Sequence, residues 1–117
     1  MKSNELKIEV MLDIFSGRPN PKWTLSSKQV DELKAKLDKL PMAKPVMPLG
    51  LGYRGVVVTN LSKEQSIPEQ IKVYNSILAV VETGGTSYYK DINNIEEWFL
   101  GQAYKLGYED VIKKFRE

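Results

Sequence analysis

Leu6, Ile8, Val10, Leu12 and Ile14 alternate with Lys7, Glu9, Met11, Asp13 and Phe15. A period of two sustained over ten residues fits no helix. It sets one row of side chains on a buried sheet face and the other on a face that is partly wet. The chain must therefore supply further strands and an apolar layer to cover the first row.

The covering layer is legible downstream. Val30, Leu33, Leu37 and Leu40 recur at helical spacing. Ser26 followed by Gln29 forms a capping box at the start of this helix, and Leu25 and Val30 occupy the staple positions around it. Pro41 stops it. Val56-Val57-Val58-Thr59 reads as a short buried strand, and Ile71–Val81 as one longer central strand, largely apolar and interrupted at Asn75 and Ser76. Thr83-Gly84-Gly85-Thr86 then turns the chain into a returning strand over 87–92. Asn93 or Asn94 caps a second helix with the apolar stripe Ile95, Trp98, Phe99, Ala103 and Leu106, and Gly107 suits its left-handed stop. In the third helix Glu109 and Asp110 stand early and Lys113, Lys114 and Arg116 late, as the macrodipole prefers.

Consecutive strands beside few helices define an α+β class with a mostly antiparallel sheet. The expected order is β-α-β-β-β-α-α, with about four strands and three helices. At 117 residues the chain makes one domain, 1–117. The first strand is expected to pair with 56–60 or 71–81, and the first helix to pack on the Leu6-to-Ile14 face.

Composition narrows the chemistry. The chain contains no His and no Cys. Ser-His-Asp and Cys-His catalysis, thiol redox work, disulfides and His or Cys zinc sites are excluded. No pair of acids has a spacing that marks a glycosidase, and no EF-hand pattern occurs. The reading assigns no catalytic residue, no metal and no cofactor. The net charge is +2 with signs interleaved, which argues against a nucleic-acid partner. No apolar run approaches the ~20 residues of a membrane helix, and the opening Met-Lys-Ser-Asn-Glu-Leu-Lys leads into no secretory core. A cytoplasmic protein without membrane partners is expected, and lack of Cys suits that compartment.

Two segments stand out. In residues 16–23, Pro19 and Pro21 fix their own φ and push Arg18 and Asn20 toward extended backbone. This stiff loop displays a guanidinium, an amide and, at Trp23, an indole. It suits either a clamp for an anionic or polar ligand or a rigid joint in which Arg18 pairs with Asp13 or caps carbonyls and Trp23 covers the end of the first helix. The other segment, Leu49-Gly50-Leu51-Gly52-Tyr53-Arg54-Gly55, lacks the Gly-Lys-Ser/Thr end of a phosphate loop and precedes a strand, so it is no nucleotide fingerprint. If the first strand and the 56–60 strand are antiparallel neighbours, Arg18 and Arg54 come to one sheet edge, with Asp13 or a bound anion between them. Asn75 is read as a buried amide that ties a loop or lines a cavity. The candidate ligand-binding set is thus Asp13, Arg18, Asn20, Trp23, Tyr53, Arg54 and Asn75.

Residues 13–21, Trp23, Leu25-Ser26, residues 51–55 and Val73-Tyr74-Asn75 together resemble a family of small proteins that carry a Ser-Gly-Arg-Pro-Asn-Pro-x-Trp and a Leu-Gly-Tyr-Arg-Gly segment. The resemblance covers residues 10 to 100. It implies that these segments form one module and lends no activity, substrate or catalytic residue.

The functional expectation is a non-catalytic binding domain for a small anionic or polar ligand or a peptide segment. The alternative is a protein–protein module of inhibitor or immunity type, with Met42, Val46, Met47 and Leu49 of the 41–54 loop as its surface. An enzyme using carboxylate, Lys or Tyr chemistry comes third.

Overall fold

The computed structural model describes residues 7–15, 19–45, 54–62 and 67–116. The elements are β1 (Ile8–Leu12), β2 (Lys22–Thr24), α1 (Ser27–Leu37), β3 (Val56–Asn60), β4 (Gln70–Tyr74), β5 (Ile77–Glu82), β6 (Gly85–Lys90), α2 (Ile95–Lys105) and α3 (Glu109–Arg116). One six-stranded sheet runs β2-β1-β3-β4-β5-β6, and every pairing in it is antiparallel.

The α+β class and the three helices agree with the sequence; the strand count does not. Six strands stand where about four were expected, for two reasons. Trp23 belongs to a three-residue strand, β2, too short to show alternation and preceded directly by Pro21. The 71–81 run is two strands, because Asn75 (φ 52°) and Ser76 (φ 70°) are both left-handed and turn β4 back into β5. Two consecutive positive φ values define the type I′ hairpin turn, whose twist matches that of the strands and whose first position favours Asn. The apolar content of both arms masked the turn.

β1 pairs with β3, Val10 opposite Val58 and Leu12 opposite Val56. Ile8, Val10, Leu12 and Ile14 are buried with Val56, Val58, Ile71, Val73 and Leu78 in one core. Val30 and Leu33 of α1, Phe99 and Leu100 of α2 and Ile112 of α3 complete it. The first helix thus packs on the Ile8-to-Ile14 face as expected, with Leu37 and Leu40 partly buried against the same core; Leu6 lies outside the described residues. Its capping box is formed, with Gln29 N–H donating to Ser26 Oγ at 3.2 Å and Ser26 N–H to Gln29 Oε1 at 2.8 Å.

The cap of α2 departs from expectation. Asn94 precedes the helix but is left-handed (φ 55°) and makes no side-chain cap. The first-turn N–H groups of Ile95 and Glu96 donate to the two carboxylate oxygens of Asp91, at 2.6 and 2.9 Å. The left-handed step brings the first turn back over an acid that lies beyond the usual capping position. Asn93 ties the same corner to α1 by donating to the Lys36 carbonyl at 2.8 Å. Among the described residues no helix is long and apolar enough to cross a membrane.

Candidate functional site

The antiparallel pairing of β1 and β3 sets the end of one beside the start of the other. Beyond the last regular pair the ladder slips. Asp13 N–H donates to the Gly55 carbonyl at 2.9 Å, and Arg54 N–H donates to the Asp13 carbonyl at 2.7 Å. Two residues therefore oppose one, the geometry of a β-bulge, which bends a strand and re-aims a side chain. Gly55 makes it feasible, with φ at +110° and its backbone pressed against Val73.

The re-aimed Arg54 guanidinium meets Asp13. Nη2 lies 2.9 Å from Asp13 Oδ1 and also donates to the Phe15 carbonyl at 3.2 Å. The Arg54 and Asp13 side chains retain 24% and 30% of their exposure. Asn20 approaches the same stretch from the proline loop. Its Oδ1 accepts from Ile14 N–H at 3.0 Å and Phe15 N–H at 2.7 Å, and its Nδ2 lies 3.8 Å from Met11 Sδ. Phe15 is thus held at its N–H by Asn20 and at its carbonyl by Arg54. Pro21 adds a carbonyl that accepts from Leu12 N–H at 3.0 Å. The stiff loop is a hairpin connection whose amide holds the chain as it leaves β1.

Arg18 and Tyr53 lie outside the described residues, as do Val46, Met47 and Leu49. The expected meeting of the two arginines falls outside them too. Asn75 lies at the same end of the sheet, since Val73 pairs with Val56. It is not the buried amide expected. Its side chain is exposed in the turn, and its backbone N–H makes the tertiary tie, donating to Oε1 of the buried Glu96 at 3.1 Å.

Trp23 does not join this cluster. It pairs in register with Val10 and so faces the helices, whereas Asp13 alternates with the buried Leu12 and Ile14 toward the other side. The indole Nε1–H donates to Gln102 Oε1 at 2.8 Å, and the ring stacks on Tyr108 at 6.2 Å between centroids. Around it lies a groove of about 210 Å³ lined by Trp23, Thr24, Gln29, Gln102, Lys105 and Leu106. Gln102 stood outside the expected set. Its signal was a polar residue three positions after Phe99 and four after Trp98, on the apolar stripe of α2.

Among the described residues no three His, Cys, Asp or Glu side chains converge on a point that could hold a metal ion. What the sheet end offers chemically is a fixed cation, a fixed carboxylate and tethered backbone.

No family model, no curated protein and no solved structure matches the chain.

Proposed function

We propose that the chain is a non-catalytic binding domain that recognises a small anionic or polar ligand, or a peptide segment, at the sheet end where β1 leaves and β3 enters. The observation that carries this reading is the bulge contact, Arg54 N–H to the Asp13 carbonyl at 2.7 Å. It sets Asp13 and the Arg54-Gly55 end of the glycine-rich connection together, beside Asn20, and presents there a guanidinium that keeps about a quarter of its exposure. Guanidinium groups pair with carboxylates and phosphates through a planar fork of donors, and a stiff loop loses little entropy on binding. The cytoplasm is the compartment proposed with it, since a chain without Cys suits reducing conditions.

The test is a titration followed by NMR of the backbone at 13–15 and the Arg54 side chain, with acetate, inorganic phosphate and N-acetylglycine as probes. Saturable shifts confined to this cluster, weakened in Arg54→Lys at an unchanged melting temperature, support the reading. Shifts no larger than those elsewhere on the surface, or equal affinity in Arg54→Lys, overturn it.

The second reading, a protein–protein module, has one observation of its own. Residues 41–43 lie along the outer edge of β6, with Ala43 N–H donating to the Tyr88 carbonyl and Lys90 N–H to the Pro41 carbonyl, and Met42 stands there 73% exposed. A change in mass on purification that Met42→Lys abolishes, with no response to the small probes, favours that reading.

A further inference from the structure

A residue that lines the groove beside Trp23, Gln102, carries a buried unmet donor. Gln102 Oε1 accepts from the Trp23 indole, and an indole N–H can only donate. The orientation of the amide is thereby fixed, since the reversed amide would set two donors against each other. Gln102 Nε2 is left out of reach of water and without an acceptor among the described residues. A buried donor without a partner is costly, and native proteins keep few of them.

Among the described residues the only charged side chain lining the groove is that of Lys105. Glu109, the acid opening α3, pairs with Lys113 at 3.0 Å. Gln29 stands in the first turn of α1, and that turn carries no acidic residue, so the positive end of the helix dipole has no side-chain counter-charge. The Trp23 ring and Leu106 add an apolar wall. The volume, about 210 Å³, is below the ~300–1,000 Å³ of pockets for drug-sized ligands.

We propose that this groove is a second binding site, separate from the sheet end, and that it takes a small organic carboxylate. One carboxylate oxygen accepts from Gln102 Nε2, the Lys105 ammonium neutralises the charge, and the apolar part of the ligand lies against Trp23 and Leu106. A small side-chain shift in the groove wall admits the oxygen to Nε2. A neutral amide ligand satisfies Nε2 but leaves Lys105 unpaired, and an amine ligand meets a second ammonium; the site therefore selects charge as well as shape.

The experiment uses the whole chain, with benzoate, benzamide and benzylamine as probes and the Gln102 side-chain amide and Trp23 indole NMR signals as readout. Benzoate is expected to shift both signals saturably, with an affinity in the millimolar range, as a ligand of about nine non-hydrogen atoms provides. Benzamide is expected to bind about tenfold more weakly, the difference of a charge-assisted contact, and benzylamine not to bind. Lys105→Met, at an exposed position, brings benzoate down to the level of benzamide. Gln102→Glu keeps the acceptor for Trp23 and replaces the donor by a like charge, so it abolishes binding. No saturable shift with benzoate, equal binding of benzamide, or benzoate affinity unchanged in Lys105→Met each overturns the proposal. Because the signals read lie on the helical side of the sheet, a failure here is distinct from a failure at Arg54.

Discussion

A methyl group on Gly55 would lie 2.5 Å from the carbonyl oxygen of Val73. That oxygen belongs to a strand buried in the middle of the sheet and has no freedom to retreat. The φ of +110° at Gly55 adds backbone strain for any other residue. Gly55→Ala is expected to lower stability by about 2–4 kcal/mol, read as the midpoint of urea unfolding. The bulge that aims Arg54 should loosen with it, so the 13–15 amide signals should shift in the folded fraction. A loss below about 0.5 kcal/mol, the usual range of a neutral surface change, would show that β3 and β4 can part at that point without cost.

Asn20 separates the clamp from the joint. Its Oδ1 serves two N–H groups of the main chain, Ile14 and Phe15. Asn20→Ala removes the acceptor from both, and the expected cost is about 1–3 kcal/mol. Asn20→Asp keeps an oxygen in place and should cost less. Equal losses in the two variants, measured by thermal melting, would mean that the acceptor role does not hold the loop.

The two halves of this cluster were unequally legible in the sequence. The alternation of Ile8, Val10, Leu12 and Ile14, the β-branched run at 56–58 and the capping box at Ser26 each express one local rule, and the structure obeys all three. β2 escaped because three residues are too few to alternate and its strand character comes from a partner in β1, and the turn at Asn75-Ser76 escaped because the apolar arms on both sides of it masked it. Trp23 becomes a strand residue through Val10, and Asn75 turns because β4 and β5 close on each other through Tyr74 and Ile77. The placement of Asp13 beside Arg54 followed from strand order and was anticipated as one possibility. The bulge behind it was not, since a slip of one residue in a ladder leaves no periodicity to read. Gln102 was hidden in plain composition, as one polar residue among apolar neighbours on a helix face.

Helix α2 offers a test of a cap set far from its helix. Asp91 accepts from Ile95 and Glu96 N–H at 2.6 and 2.9 Å, while Asn94, at the position a capping rule selects, makes no such bond. Asp91→Ala should cost about 1–2 kcal/mol. Asn94→Gly should be neutral or slightly stabilising, since its left-handed backbone suits Gly and its side chain caps nothing. The reverse ranking in chemical denaturation would restore the cap to Asn94.

The sequence reads Asn75 as a ligand contact through a buried amide, and the hairpin supplies another reason for it. At φ 52°, followed by Ser76 at φ 70°, the residue meets the demand of a type I′ turn for a side chain that tolerates the left-handed region. Its tertiary bond to Glu96 leaves from the backbone N–H and survives any substitution except Pro. Asn75→Gly should therefore change stability by less than about 0.5 kcal/mol. Asn75→Val should lose about 1–2 kcal/mol, because a branched Cβ resists positive φ. Binding of acetate or phosphate at the Arg54 end should be the same in Asn75→Gly as in the parent chain. If the Gly variant keeps its stability but loses that binding, the amide itself contacts the ligand, and Asn75 returns to the site on functional grounds.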